Sequence, residues 1–143
     1  MQKNTFYVLL FFISLISCNE EVKKTETPKE SIIAKESEEK SYPLLKFSKK
    51  VFDFKTISEG EILKADFKFN NPSKDTLRIE YVNPECTCTT YELSSYTIPP
   101  NEDGFITLTY DSDNRVGKNT SYTIVKANTK TKFYKLTLRV TVE

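Results

Sequence analysis

Four stretches of strict alternation constrain this chain more than any other feature it carries. Ala65, Phe67 and Phe69 alternate with Lys64, Asp66 and Lys68, and Ile106, Leu108 and Tyr110 alternate with Thr107 and Thr109. Leu77, Ile79 and Tyr81 alternate with Arg78 and Glu80. Tyr134, Leu136, Leu138, Val140 and Val142 alternate with Lys135, Thr137, Arg139 and Thr141. A period of two sends successive side chains to opposite faces of a strand, so each run has one face for a core and one for water. Much of each run is β-branched or aromatic, as strands favour. Turn-forming residues separate the runs, at Glu59-Gly60, Asn70-Asn71-Pro72-Ser73, Pro99-Pro100-Asn101 and Gly117. Strands are expected near 46–48, 51–54, 62–70, 76–82, 104–111, 120–128 and 133–142.

Short strands and regular turns over residues 44–143 predict an all-β domain. The expected architecture is an immunoglobulin-like antiparallel β-sandwich of about seven strands. A seven-strand Greek-key barrel is the competing arrangement. The chain has no Trp, so Phe, Tyr and aliphatic packing must hold the core. Tyr91, Tyr96, Phe105, Tyr122 and Phe133 fall outside the clearest inward series. Because both sheets of a sandwich need inner faces, most of these rings are expected inside.

The N-terminal segments stand apart from the fold. Phe6 to Ile16 is almost unbroken apolar sequence after Lys3. Roughly eleven such residues suit a signal-peptide core and are too few to span a bilayer as a helix. Leu15-Ile16-Ser17-Cys18 closes the run and resembles the bacterial lipobox. That resemblance implies removal of residues 1–17, lipid on Cys18, and a cell-envelope address, most simply the outer membrane. Residues 18–43 follow as a flexible tether rich in Glu, Lys, Ser and Thr, too polar to offset the entropy of ordering. Removing Lys3 lowers the basic count from 21 to 20, against 20 acidic residues. That balance is no electrostatic footprint for nucleic acid.

Pro84-Glu85-Cys86-Thr87-Cys88-Thr89-Thr90 is the cluster that stands out chemically. In an extended strand, residues two apart have Cα atoms ~6.5–7 Å from each other, at the far edge of what a disulfide tolerates. A Cys86–Cys88 bridge therefore requires a bend. The first reading is a pair of structural cysteines at a strand edge, reduced or bridged; the alternatives are a redox pair or a soft-metal site, and the last must do without histidine, which the chain lacks. The same lack removes Ser-His and Cys-His nucleophile pairs. Three glycines form no phosphate loop. Asp111-Ser112-Asp113-Asn114 lacks the Gly and distal Glu of an EF-hand loop and reads as a turn. No enzyme activity and no cofactor are expected.

Several motifs together resemble the bacterial domain-of-unknown-function family fifteen seventy-three, abundant in Bacteroidetes lipoproteins. Phe52-Asp53-Phe54-Lys55-Thr56-Ile57-Ser58-Glu59-Gly60-Glu61 is similar to its F-D-F-G-x-I-x-E-G-E opening. Phe67-Lys68-Phe69-Asn70-Asn71 resembles its F-x-F-x-N strand end. Val82-Asn83-Pro84-Glu85-Cys86-Thr87-Cys88-Thr89 resembles its V-x-P-x-C-G-C-T signature, and Ile98-Pro99-Pro100-Asn101 its I-P-P-G turn. Lys55, Thr87 and Asn101 stand where that family has glycine. The resemblance implies an immunoglobulin-like fold and leaves the activity open. Cys18-Asn19-Glu20-Glu21 is similar to surface-export signals of that phylum, and Asp75-Thr76-Leu77 to its O-glycosylation motif, making Thr76 a candidate site.

The expected function is a lipid-anchored, non-catalytic binding or scaffolding module. Its partners would be the membrane, through Cys18, and a protein or glycan. The rival is thiol redox or soft-metal chemistry at Cys86 and Cys88.

Overall fold

A computed structural model describes residues 40–143; Cys18, the signal segment and most of the tether lie outside the described residues. Nine strands follow in order: β1 Lys46–Phe47, β2 Val51–Ile57, β3 Ile62–Asn70, β4 Leu77–Pro84, β5 Thr89–Leu93, β6 Thr97–Ile98, β7 Asp103–Asp111, β8 Gly117–Ala127 and β9 Phe133–Val142. One sheet has the order β1-β3-β7-β5 and the other β2-β9-β8-β4-β6. The expected β-sandwich is therefore present. Within it β2 runs parallel to β9, while the other pairings are antiparallel. The opening segment causes this exception. It pairs with β3 through β1, then turns away and lies along β9 in the opposite sheet.

The core is the inner face that the alternation marks out. Phe67, Phe69, Ile106, Leu108, Tyr110, Leu136, Leu138 and Val142 are fully buried. Phe52 stacks edge-on against Phe67, with ring centroids 4.8 Å apart, so β2 closes one side of the sandwich with its aromatic face. Phe69 needs a gap in the strand beside it. A Cβ on Gly104 would sit 2.5 Å from the Phe69 ring, so glycine there is a matter of space.

Three expectations need correction. β5 and β6 add two strands to the seven, both short; β5 directly follows the cysteine cluster and β6 pairs with the start of β4. Tyr81 points to solvent, because the register of β4 against β8 shifts between Ile79 and Tyr81. This bulge turns the alternation over, and Val82 takes the inward position. The rings expected inside also lie largely outside. Tyr96, Phe105, Tyr122 and Phe133 are exposed, and Tyr91 is half-buried.

The positions where the family resemblance calls for glycine divide in two. Lys55 and Asn101 both hold φ 62°, the left-handed conformation glycine adopts most readily. At Lys55 this forms a bulge in β2. The backbone N–H of Lys55 donates to Asp53 Oδ1 at 3.1 Å, and this bond is the main reason the Asp53 carboxyl lies below its ordinary value. Thr87 is not among the positive-φ residues, so its turn does not demand glycine.

With one exception, each successive connection carries the chain from one sheet to the other; only β8 and β9 form a hairpin within a sheet. Such crossings place backbone polar groups at the poles of the sandwich, where strand ladders do not satisfy them. Asn71, fully buried after β3, supplies the missing bonds at one pole. Its side-chain amide donates to the carbonyls of Asp75 at 2.8 Å, Ile98 at 3.1 Å and Pro99 at 3.1 Å. Its Oδ1 accepts from the N–H and hydroxyl of Ser73. Its backbone N–H and C=O bond Glu102 and Asn101. Two crossings, β3 to β4 and β6 to β7, are thus tied by one residue. Asn71→Ala should lower the unfolding free energy by about 3 kcal/mol or more, because it strands several buried acceptors at once. Urea denaturation followed by circular dichroism measures this, with exposed Asn83→Ala as the neutral control.

Candidate functional site

Two regions concentrate chemistry, and they meet beside Tyr122. The first is the cysteine corner, where the chain leaves β4 and crosses to β5. Residues 85–88 form a bend rather than a strand, closed by the Thr89 N–H donating to the Cys86 carbonyl at 3.1 Å. The bend brings the Cα atoms of Cys86 and Cys88 to 5.1 Å, and their sulfurs are bonded. An extended strand could not reach that separation. Pro84 suits the end of β4. The Glu85 N–H bonds the Tyr122 carbonyl, so the proline nitrogen one residue earlier faces the free edge and costs no ladder bond.

Around the bridge the corner is held by other means. The Asp111 N–H donates to the Cys88 carbonyl at 2.9 Å, securing β5 to β7. Thr89 Oγ1 and Ser121 Oγ lie 2.7 Å apart in the interior, joining the two sheets directly. The Cys88 N–H points at Cys86 Sγ, 3.2 Å away, and Cys88 Sγ lies 3.7 Å from Thr89 Oγ1. Cys88 is buried, whereas Cys86 is half-buried and Thr87 between them is exposed. A bridge between residues two apart closes a tiny loop, so it constrains the unfolded chain far less than the roughly 3 kcal/mol of a fifteen-residue loop.

The second region is the outer face of the five-stranded sheet, of which the sequence marked Tyr122 and Phe133 as outside the clearest inward series but did not assemble the face. Tyr81 on β4, Tyr122 on β8 and Phe133 on β9 are 41%, 38% and 52% exposed, and Ile124 lies partly open among them. Lys126 stands opposite both Tyr81 and Phe133, and Lys135 opposite Ile124. The Lys135 ammonium sits 4.7 Å from the centre of the Tyr122 ring, and Lys126 lies 5.9 Å from that of Tyr81. Glu80 bonds Lys126 at 2.6 Å, which holds that ammonium above its ordinary pKa. Arg78 and Lys118 are exposed on the same sheet, outside the two ion pairs found among the described residues.

β8 hides this face from a sequence reader because its pattern is inverted. Tyr122 and Ile124 point out, while the small Ser121, Thr123 and Ala127 point in together with Val125. Pairing with β9 decides the matter. Ser121 lies opposite Leu138 and Thr123 opposite Leu136, and burying those leucines carries the small residues inward with them. The usable signal was size complementarity between neighbouring strands, which needs the register first.

Other sequence candidates are scattered. Thr76 is exposed just before β4, and its carbonyl accepts from Asn128. Asp111–Asn114 is a turn, with the Asp113 N–H on Asp111 Oδ1 and Asn114 at φ 57°. Ser112 within it is fully buried and donates to the Glu61 carbonyl at 2.8 Å. A cleft of about 600 Å³ beside β1, β3 and β7 is lined by Lys46, Lys68, Ser94, Asp103 and Phe105.

The Thr89–Ser121 bond yields a direct test of how the corner is held. Ser121→Ala leaves Thr89 Oγ1 without that bond in the interior and should cost about 1–3 kcal/mol. Adding Thr89→Val should cost clearly less than it does alone, since the orphaned hydroxyl disappears with it. A double-mutant cycle by urea denaturation reads this coupling.

Comparison with known proteins places the fold and leaves the activity open. No curated protein matches the chain. A protein of unknown function from Porphyromonas gingivalis W83 superposes with a TM-score of 0.62 at 14% identity, over 69% of this chain and 46% of that one. The VesB protease of Vibrio cholerae superposes at 0.54 with 8% identity, over 71% of this chain and 32% of that one. The human ASH/PapD-like domain 7 of CEP192 gives 0.52 at 12% identity, covering 91% of this chain and 98% of that domain. The chain spans under half of the first of these proteins and about a third of the second, and at such identities the likeness is one of fold. Residues 45–142 match the model of the family described as protein of unknown function DUF1573, and the chain belongs to that family.

Proposed function

We propose that this protein is a lipid-anchored, non-catalytic binding module of the cell envelope, and that it binds an acidic segment of a partner protein. The observation that carries the reading is the outer face of the five-stranded sheet. Exposed Tyr81, Tyr122 and Phe133 interleave there with Lys126 and Lys135, and Arg78 and Lys118 add positive charge nearby. Aromatic rings supply contact area at low entropic cost, and tyrosine and arginine are enriched at interfaces. The basic side chains select by charge. A chain near neutrality overall that gathers cations around exposed rings on one face offers complementarity to an acidic surface.

The non-catalytic part of the proposal is supported by the lack of histidine in the chain and of a phosphate-binding glycine loop. The anchor is supported by the apolar run Phe6 to Ile16 and by Leu15-Ile16-Ser17-Cys18. The composition of residues 18–43, rich in Glu, Lys, Ser and Thr, supports their role as a tether between anchor and domain.

Two measurements test the proposal. A photo-crosslinking residue placed at Tyr122 in the anchored protein should give a defined heteromeric band in cells, whereas one at Lys64 on the other sheet should not. The combined Lys126→Glu and Lys135→Glu changes should reduce that band by about tenfold or more, as expected for a charge-steered contact. Equal bands from both positions, or capture of a glycan instead of a protein, would overturn the assignment of face or partner. Separately, Cys18→Ser should move the protein from the detergent phase to the aqueous phase on phase partitioning and abolish labelling by radioactive palmitate.

A further inference from the structure

We infer that Cys86 and Cys88 form an exchangeable dithiol–disulfide pair, with Cys86 as the sulfur that reacts with a partner thiol or disulfide and Cys88 as the resolving sulfur. This rests on the corner itself and is independent of the aromatic face.

Three features of the corner lead there. First, the two sulfurs differ in access. Cys86 is half-buried at the bend beside exposed Thr87, whereas Cys88 is 8% exposed and belongs to the core. An incoming sulfur meets Cys86 first, and exchange depends on which sulfur can be reached. Second, partners for both sulfurs of the opened pair already exist. The Cys88 N–H is 3.2 Å from Cys86 Sγ, a donor in place for the Cys86 thiolate of the reduced pair. Thr89 Oγ1, 3.7 Å from Cys88 Sγ, can accept the S–H of a reduced Cys88, and its own place is kept by Ser121. Opening the bond therefore strands no buried polar group.

Third, the fold does not rely on the bridge. The crossing from β4 to β5 is secured at Glu85 by Tyr122, at Cys88 by Asp111 and at Thr89 by Ser121. The Thr89 N–H closes the bend on the Cys86 carbonyl without any sulfur. A bridge spanning a single intervening residue adds little to these bonds. A structural disulfide usually joins distant segments; this one joins neighbours that the backbone already holds.

The reaction balances as ordinary thiol–disulfide exchange with a partner disulfide. The Cys86 thiolate attacks one sulfur of the partner, forming a mixed disulfide and releasing the partner's other sulfur as a thiolate. Cys88, its proton passed to water, attacks Cys86 Sγ, restores the bridge and releases the partner's second sulfur. Two electrons pass to the partner, whose sulfurs take up two protons in all from solvent. A partner dithiol runs the same steps in reverse.

The test uses the full chain carrying Cys18→Ser, so that the pair supplies the only thiols. Samples equilibrated in glutathione buffers from fully oxidised to fully reduced are quenched, alkylated and weighed intact, with circular dichroism recorded in parallel. The expected result is a reversible gain of two alkyl groups with an unchanged spectrum. In single variants, Cys88→Ser should form a mixed disulfide with oxidised glutathione about tenfold or more faster than Cys86→Ser, following the exposure of the remaining sulfur. A pair that stays oxidised in every buffer, a spectrum that collapses on reduction, or faster reaction at Cys88 would each overturn the proposal. Should either variant fail to fold, the titration of the intact pair still decides between an exchangeable and a structural bridge.

Discussion

The fully buried side chain of Asn71 ties together what the strand ladders leave loose. A sandwich whose chain changes sheet at nearly every connection must bury backbone carbonyls at its poles, away from both water and neighbouring strands. Asn71 meets that demand at one pole, joining two crossings that are far apart in sequence. Ser112 does the same at the opposite pole, where its hydroxyl links the start of the β7–β8 connection to the turn that precedes β3. Thr89 and Ser121 serve the crossing from β4 to β5. A small set of buried polar residues fixes how the two sheets face each other, and apolar packing fills the space between them. Such groups are costly when half-satisfied, which makes their loss more damaging than their number suggests.

The cysteine corner and the aromatic face both follow from that arrangement. The bend at 85–88 exists because β4 has to leave its sheet, and the same departure brings the two cysteines within bonding distance. On β8, Ser121 and Thr123 pack inward against the leucines of β9, which leaves Tyr122 and Ile124 outside beside Lys135, while the bulge in β4 exposes Tyr81. Surface chemistry here is the reverse side of core packing.

The alternating runs of β3, β7 and β9 were legible from residues alone, because each repeats bulky apolar side chains along its inner face; the outward Phe105 and Phe133 were the exceptions. β5 and β6 were not. Five residues and two residues carry too little period, and they pair with strands brought near only by the fold. Tyr81 was misplaced for a related reason. The bulge that turns it outward comes from fitting β4 to β8, with β6 on the other side, and nothing within Leu77-Arg78-Ile79-Glu80-Tyr81 announces it. Cys86 and Cys88 were visible as a cluster, but their joining depended on a bend whose hydrogen bonds involve Tyr122 and Asp111.

By itself, then, the sequence determined the fold class, the inner faces of β3, β7 and β9, the turn positions and the residues able to carry sulfur chemistry. These follow from local physics: the two-residue period, the turn residues at their fixed offsets, and the lack of histidine. The tertiary structure alone decided the parallel pairing of β2 with β9, the inversion of β8, the exposure of Tyr81, Tyr122 and Phe133, and the bonded state of the cysteine pair. Each of these depends on how a strand registers with its neighbours, whether next in the chain, as β9 is to β8, or distant from it, as β9 is to β2. Alternation says which residues share a face; only the neighbouring strand says which face is covered.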